Sequence, residues 1–366
     1  MALSIGIAGL ANVGKTTLFN TLTKAQNAQA ANYPFSTLEP TKATVPVPDI
    51  RVDNLSALVK PKKTTRATVD FIDIAGLVRG SSKGGGLGNQ FLGNIRECTA
   101  ILEIVRCFDD ENILHVDGSV NPLRDIETIE TEFILADIQS VERRLDRLQK
   151  QAKGDKNARA AAEDLTKLLE HLNSGLAASA FTARNTELFQ TVWNELGLLS
   201  AKTVIYCANV HEDNVAEDNQ HLRSLYDFAA GRKAELVIIC ARLEEELQAL
   251  PETEQAEILS SYGITESGLA QVVRTSYRAL GLISYFTAGP KEVRAWTICQ
   301  GWKAPKAAGV IHSDLERGFI RAEIASYEDY MRLGSEAACR AAGLLRVEGR
   351  DYALRDGDVA HFLFNV

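Results

Sequence analysis

Short apolar segments alternate with amphipathic stretches over most of the chain, and this pattern predicts an α/β core. Runs rich in β-branched residues occupy residues 3–8, 67–74, 101–108, 203–208 and 236–240. Runs this short and continuous are typical of parallel strands that are buried on both faces. A helical pattern begins near Thr16, directly after the first run. We therefore expect a doubly wound, mainly parallel sheet.

Residues 125–199 show helical periodicity almost throughout. Apolar side chains recur there at steps of three and four residues, as expected of a helix that buries one stripe: Ile134, Ile138, Val141, Leu145 and Leu148. Gly154 and Asp155 interrupt the pattern, which predicts the turn of an antiparallel helical hairpin. The sequence thus predicts a helical, coiled-coil arm inserted between two strands of the sheet.

The pattern changes again near residue 283, after a predicted helix over 266–280. The strand-like runs VRAWTIC, GFIRAEIAS and VAHFLFNV surround a helical stretch at 326–342, which is typical of a small α+β domain. We therefore expect an α/β domain over 1–124 and 200–282, the arm over 125–199, and a C-terminal domain over 283–366.

Composition narrows the class of protein. The chain has 366 residues, 45% hydrophobic and 24% charged, with a net charge of −8, which excludes long disorder and disfavours binding DNA through the overall field. No apolar run reaches the roughly 18 to 20 residues that span a bilayer, and the start lacks a basic leader. The six scattered cysteines form no Cys-x-x-Cys pair. We expect a cytoplasmic monomer with free thiols and no membrane partner.

The segment from Gly9 to Thr16, GLANVGKT, matches the phosphate-binding loop G-x-x-x-x-G-K-[ST], between a strand and a helix as that loop requires. Its backbone N–H groups and the start of the helix would bind phosphate oxygens. Lys15 would neutralise the β and γ phosphates, and the Thr16 hydroxyl would bind Mg²⁺.

A second motif, Asp-x-x-Gly, follows the predicted strand at 67–74. Asp73 would hold Mg²⁺, and the Gly76 N–H would contact the γ phosphate. Thr37 lies where a switch threonine closes over the metal, although it could also be an ordinary loop residue. Leu77 stands where related GTPases have a water-orienting glutamine, so hydrolysis is slow or is assisted by another group. The glycines over 80–88 predict a mobile switch loop.

The base-recognition segment departs from the guanine-specific pattern Asn-Lys-x-Asp. This chain has Asn209, Val210, His211 and Glu212. Valine thus replaces the lysine, and glutamate, whose side chain is longer by one methylene, replaces the aspartate. A guanine needs an accurately placed carboxylate, whereas the Asn209 amide could pair with adenine N6 and N7. ATP is therefore the expected nucleotide, with the loop at Cys240 and Ala241 beside the base.

With these motifs assembled, the chain resembles the YchF-type ATPases, an Obg-related branch of the translation-factor GTPase class. The resemblance spans the chain through GLANVGKTT, NYPFST, DIAGLVRGSSKGGGLGNQFL, ANVHE, YFTAGPKEVRAWTI and DGDVAHFLFNV. It implies a C-terminal TGS domain of β-grasp shape and slow hydrolysis of ATP, and less of GTP. It also implies ribosome binding and an influence on translation and stress responses.

The resemblance also assigns roles to single residues. It places the phosphates on residues 12–17, namely Asn12, Val13, Gly14, Lys15, Thr16 and Thr17, and the base on Asn209 and on the backbone of Val210. It places Mg²⁺ on Thr16 and Thr37. It also implies that Asn12 helps to coordinate K⁺, which could replace the missing glutamine or an arginine finger. Ser36 replaces a cysteine frequent in the family, so thiol-based redox control through this position is not expected.

The arm carries a basic segment that could face ribosomal RNA. Its seven basic residues are Arg143, Arg144, Arg147, Lys150, Lys153, Lys156 and Arg159. A solvated helical face is the alternative explanation of such a charge run. Three functions stay open: an ATP-hydrolysing switch on the ribosome, a conventional GTPase, and a nucleotide-gated RNA- or ribosome-binding module in which hydrolysis is incidental.

Overall fold

The apolar runs of the sequence form the centre of the first of two sheets. The computed structural model describes residues 3–29, 41–74, 86–151, 154–183, 187–215 and 219–365. In chain order its strands are β1 (Ser4–Ala8), β2 (Lys42–Pro46), β3 (Lys63–Thr65), β4 (Thr68–Asp73), β5 (Ala100–Arg106), β6 (Thr203–Asn209), β7 (Glu235–Ile239), β8 (Leu282–Ala288), β9 (Glu292–Cys299), β10 (Phe319–Ser326), β11 (Arg346–Glu348) and β12 (Asp358–Phe364).

The helices lie between these strands and complete the α/β alternation. They are α1 (Lys15–Gln29), α2 (Ile50–Val59), α3 (Gly86–Glu97), α4 (Pro122–Gln151), α5 (Lys156–Asn173), α6 (Glu187–Leu196), α7 (Gln220–Arg232), α8 (Ala241–Leu247), α9 (Glu252–Ser261), α10 (Gly268–Ala279), α11 (Ala304–Gly309), α12 (Ser313–Arg317), α13 (Tyr327–Leu333) and α14 (Glu336–Ala341).

The first sheet has the strand order β2-β4-β1-β5-β6-β7. Strands β4, β1, β5, β6 and β7 pair in parallel, with Ile5 beside Phe71 on one side and beside Ala100 on the other. Every residue of β5 is buried, as expected of a parallel strand covered on both faces. Because the strands run in parallel, the carboxyl ends of β1, β4 and β6 meet at one edge of the sheet.

The predicted arm is built from α4, α5 and α6. Val141, Leu145 and Leu148 on α4 share a buried cluster with Leu165 and Leu168 on α5. Asp155 precedes α5, and its side chain caps that helix by accepting from the Asn157 backbone N–H at 2.8 Å. The periodicity of the sequence therefore identified the correct apolar stripe.

The second sheet has the order β11-β10-β12-β8-β9-β3. Strands β8 and β9 form an antiparallel hairpin, and β12 runs parallel to β8, with Val359 beside Phe286. Helix α11 packs on this sheet over a core that includes Tyr285, Ile324 and Phe362. This β-grasp arrangement, the mainly parallel first sheet and the helical hairpin confirm the predicted fold class.

The chain divides into two compact units. The first consists of Met1–Lys24, Leu38–Ala43 and Asp70–Leu269, and the second consists of Ala25–Thr37, Thr44–Val69 and Ala270–Val366. Strand β3 and helix α2 were not predicted, and they give the second unit an early segment of the chain. All six cysteines are free thiols, as predicted. None of the helices described is long and apolar enough to cross a membrane.

Candidate nucleotide site

The loop between β1 and α1 takes backbone conformations that its sequence permits. Asn12 has φ +62° and Gly14 has φ +103°, both in the region that favours glycine and tolerates asparagine. A Cβ on Gly14 would overlap the amide nitrogen of Asn209. Glycine is therefore required at position 14 both by its dihedral angle and by the close approach of a side chain from β6.

Lys15 and Asp73 are the charged pair of this site. Lys15, the first residue of α1, is buried and donates a hydrogen bond from Nζ to the carbonyl of Leu10. Burial lowers the pKa of Lys15 to about 8, and the nearby Asp73 carboxylate opposes the shift. Asp73 ends β4, and burial raises its pKa while Lys15 opposes that shift. The structure thus brings together the two charges that the sequence motifs predicted.

Asn209 at the end of β6 joins the phosphate-binding loop to the start of α8. Its amide nitrogen donates to the carbonyl of Val13 at 2.9 Å, and its amide oxygen accepts from the Ala241 backbone N–H at 3.0 Å. Asn209 is 5% exposed. Asn209 therefore tethers the phosphate-binding loop to the start of α8, a role that the sequence did not predict. One N–H and one oxygen lone pair of its amide take no part in these two hydrogen bonds.

A cleft of about 330 Å³ opens at this edge of the sheet. Its lining includes these predicted residues: Asn12, Gly14, Lys15, Thr16, Thr17, Asn209 and Ala241. The side chain of Val210 lies in a buried apolar cluster with Leu222 and Leu243, which leaves its backbone as the part that could contact a base, as predicted from the family resemblance. Glu212 lies in a short 3-10 turn and does not line the cleft, and Cys240 caps the start of α8.

Two lining residues, Phe108 and Ile113, were missed by the sequence analysis. They belong to the loop after β5, which the buried side chain of Arg106 organises. The guanidinium of Arg106 donates to the carbonyls of Phe108 at 3.0 Å, Ile113 at 2.8 Å and Asp110 at 3.2 Å. The sequence signal that could have pointed to this loop was Arg106, a charged residue at the end of a mainly apolar strand.

The same loop contacts the phosphate-binding loop directly. The carbonyl of Leu114 accepts a hydrogen bond from the Asn12 amide nitrogen at 3.0 Å. Asn12 is therefore held between the two loops in its left-handed conformation. Thr37, Gly76, Leu77 and Ser36 lie outside the described residues.

This fold and this site define the class of protein: a P-loop NTPase with an inserted helical arm and a C-terminal α+β domain. A family model described as 50S ribosome-binding GTPase matches residues 4–143. A model of the YchF GTPase C-terminal family, described as a protein of unknown function, matches residues 282–365.

The chain belongs to the YchF family. It is 50% identical over 369 residues to the "Ribosome-binding ATPase YchF" of Bacillus subtilis, and 50% identical over 368 residues to the protein of that name from Haemophilus influenzae. Both alignments cover 100% of each chain. The solved structure of the Schizosaccharomyces pombe YchF GTPase matches with a TM-score of 0.87 at 37% identity, covering 99% of this chain and 97% of that one. The resemblance inferred from the motifs is confirmed.

Proposed function

We propose that the protein binds ATP in preference to GTP, hydrolyses it slowly with Mg²⁺, and acts as a ribosome-associated switch in translation and the stress response. The observation that carries this proposal is the meeting of the Lys15 loop, Asp73 and Asn209 at one edge of the first sheet. The names of the two bacterial relatives support both ATP as the substrate and the ribosome as the partner.

The roles of the residues follow from their positions. The backbone N–H groups of residues 12–17, at the start of α1, bind the phosphate oxygens, and Lys15 neutralises them. Gly76 contacts the γ phosphate through its N–H, and a water molecule attacks the γ phosphorus in line. Because Leu77 cannot orient that water, we expect slow turnover.

The oxygen donors at this edge fit a magnesium ion. The Thr16 hydroxyl and the Asp73 carboxylate are hard oxygen ligands of the kind Mg²⁺ prefers, and Thr37 would complete the set. Bound Mg²⁺ would neutralise the charge that develops on the phosphates. The Asn12 amide nitrogen is engaged by Leu114, which leaves its oxygen to contact K⁺.

The base side of the cleft favours adenine. None of the described residues that line the cleft carries a carboxylate, and a guanine-binding site needs one for N1–H and the N2 amino group. Restoring the guanine pattern at Val210 would bury an ammonium group in an apolar cluster. A conventional GTPase site is therefore disfavoured, and Glu212→Asp alone should shift the preference little.

The test is a titration of the Mg²⁺-containing protein with fluorescent ATP and GTP in K⁺ and in Na⁺ buffer, with turnover measured on the same samples. We expect tighter ATP binding and turnover stimulated by K⁺. Lys15→Ala should lose nucleotide binding and hydrolysis, whereas Lys24→Ala, further along α1 in an exposed ion pair with Glu245, should keep both. Tight GTP binding with little ATP binding would overturn the base assignment.

We propose three domains: a nucleotide-binding domain over 1–124 and 200–282, the arm over 125–199, and a TGS domain over 283–366. The proposed partner surfaces are the basic segment of the arm and the TGS domain. We expect a cytoplasmic monomer. A nucleotide-gated binding module is the second candidate function, since Leu77 slows hydrolysis.

Ribosome co-sedimentation and translation activity, each measured with ATP and with a non-hydrolysable analogue, separate the hydrolysing switch from the binding module. A binding module works equally well with either nucleotide.

A further inference from the structure

Four arginine side chains converge on a cleft at the base of the arm. The cleft has a volume of about 580 Å³ and lies between Arg96 of α3, residues Arg143, Arg144 and Arg147 of α4, and Glu195 of α6. Four guanidinium groups face one carboxylate in this lining. The cleft therefore carries an excess of positive charge in a protein whose net charge is −8.

Arg96 is held in place by backbone and side-chain acceptors from two other helices. Its guanidinium donates to the carbonyl of Leu196 at 2.9 Å, the carbonyl of Ala136 at 3.2 Å and the Ser140 hydroxyl at 2.8 Å. Burial lowers the pKa of Arg96; Asp137 opposes the shift, and Arg143 adds to it. The floor of the cleft is thus a fixed cation.

The nearby acids leave much of this charge uncompensated. The Asp137 carboxylate lies 3.8 Å from Arg96, but it is fully buried and already accepts from Leu199 N–H, Ser200 N–H and the Ser200 hydroxyl. Arg144 pairs with Glu195 at 3.0 Å.

The remaining two arginines have no acidic partner among the residues that the structure describes. Arg143 donates to the Gln139 carbonyl at 3.1 Å and to the Ser140 hydroxyl at 3.4 Å, which leaves the rest of its donors for a ligand. Neither Arg143 nor Arg147 forms an ion pair with a described carboxylate. They lie one turn apart on the exposed side of α4, so both point to the same side of that helix. The mouth of the cleft therefore presents two guanidinium groups that are available to a ligand.

We propose that this cleft is a binding site for phosphate groups of an RNA backbone. Arg143 and Arg147 keep guanidinium donors that can bind phosphate oxygens in pairs, whereas the donors of Arg96 and Arg144 are largely engaged and these two residues contribute their charge. Successive phosphates of an RNA strand can bind at the Arg143 and Arg147 mouth above the positive Arg96 floor, whereas a free phosphate fills only part of the cleft. The proposal rests on the proposed ribosome association, and it adds a site that includes Arg96, outside the arm.

The experiment compares two variants with the same loss of charge. Arg143→Gln with Arg147→Gln removes the mouth of the cleft, and Lys60→Gln with Lys62→Gln removes two exposed charges that lie outside the arm and outside the C-terminal domain. A short fluorescent oligo(U) RNA is titrated against each full-length protein, saturated with a non-hydrolysable ATP analogue, at several KCl concentrations. The thermal unfolding midpoint of each variant checks that it is folded.

We expect the cleft variant to bind RNA at least tenfold more weakly and the control variant to change less than threefold. The slope of log affinity against log salt should also fall for the cleft variant, by about 0.7 for each RNA phosphate that the protein no longer neutralises. Equal weakening in both variants would show a general field without a site, and no weakening in either would also overturn the proposal.

Inorganic phosphate, added at constant ionic strength, distinguishes the source of the phosphate group. If millimolar phosphate displaces RNA from the wild type but does not displace the RNA that the cleft variant still binds, the result supports the site. Phosphate binding that RNA does not compete with would assign the cleft to a free anion and overturn the RNA proposal. Ribosome co-sedimentation of the wild type is measured separately, since its failure would refute the proposed function whatever the cleft binds.

Discussion

Arg106 is a buried cation whose role is to shape a wall of the nucleotide site. It is 1% exposed, and three backbone carbonyls of the loop after β5 depend on its fork of donors. Lysine keeps the charge but cannot reach three carbonyls in one plane. Arg106→Lys should therefore lower the free energy of unfolding by about 3 kcal/mol and weaken ATP binding about tenfold.

The measurements are denaturant unfolding and fluorescent ATP titration. Arg232→Lys is the matched control, because Arg232 is half exposed and pairs with Glu130 at the surface. That variant should bind ATP as the wild type does. An Arg106→Lys protein with reduced stability but unchanged ATP affinity would show that the loop does not shape the site.

Lys15 gives the site a pH dependence of defined sign. Its pKa in the free protein is lowered to about 8, and bound phosphates favour the protonated form. Between pH 7 and pH 9 the free protein loses this proton, so ATP affinity should fall about tenfold over that range. Lys15→Ala should bind ATP weakly with little change over the same range, and an unchanged wild-type affinity at pH 9 would contradict the shift.

The same shift has the opposite effect on stability. The folded-state pKa lies below the unfolded value of 10.5, so the unfolded chain binds more protons between about pH 8 and pH 10.5. The cost of burying the charged lysine is complete below pH 8 and is relieved as the pH rises through this range. In the absence of nucleotide, the contribution of Lys15 to stability therefore increases with pH.

The sequence specified the local chemistry of the site better than its long-range assembly. Asn12, Gly14, Lys15 and Thr16 are neighbours in the chain, so their motif fixes their arrangement. Phe108 reaches the cleft only because the register of β5 beside β6 places its loop there. No spacing in the sequence encodes that approach.

At the scale of elements, Asp137 joins α4 of the arm to the segment that enters β6. Its carboxylate accepts from the backbone N–H groups of Leu199 and Ser200 at 2.9 and 2.8 Å, and it is fully buried. Asp137→Ala would leave these donors without partners. We expect the variant to lose about 3 kcal/mol of unfolding free energy, measured by denaturant titration.

Asp146→Ala is the control for that experiment, because Asp146 is an exposed aspartate on the same helix. Its unfolding free energy should stay within about 0.5 kcal/mol of the wild type. Equal stability of the two variants would show that Asp137 contributes little to the attachment of the arm.

Elements with a clear pattern of apolar residues were predicted from the sequence, whereas short elements with a weak pattern were not. Five of the six strands of the first sheet were located to within two residues because continuous apolar runs mark strands buried on both faces. Strand β2 has the burial pattern of a half-covered strand over only five residues, and β3 has three residues. Helix α2 has a capping Asp49, but its polar Asn54 and Ser56 weaken the helical pattern.

At the scale of the whole molecule, the second unit depends on residues far apart in the chain. Strand β3 pairs with β9, with Lys63 beside Glu292, and Arg51 of α2 lies 5.0 Å from the centre of the Phe286 ring. A fragment of residues 270–366 therefore lacks an edge strand and part of its cover. We expect it to unfold at a lower temperature than the 44–69 and 270–366 segments joined by a flexible linker.

Circular dichroism during heating measures the difference between the two fragments. A joined fragment in which residues 44–69 are shuffled is the control for chain length. Equal unfolding temperatures for the correct and shuffled versions would show that the early segment adds nothing to the stability of this unit.

The pairing of β3 with β9 also joins two strands that are synthesised at different times. Glu292 follows Lys63 by roughly 230 residues, which a ribosome adds in about ten seconds to a minute at 5–20 residues per second. During that interval Val52 and Leu55, buried in the finished protein, have no C-terminal sheet to cover them. The nascent chain therefore exposes an apolar segment early and covers it late, so conditions that slow elongation lengthen its exposure to chaperones and to aggregation.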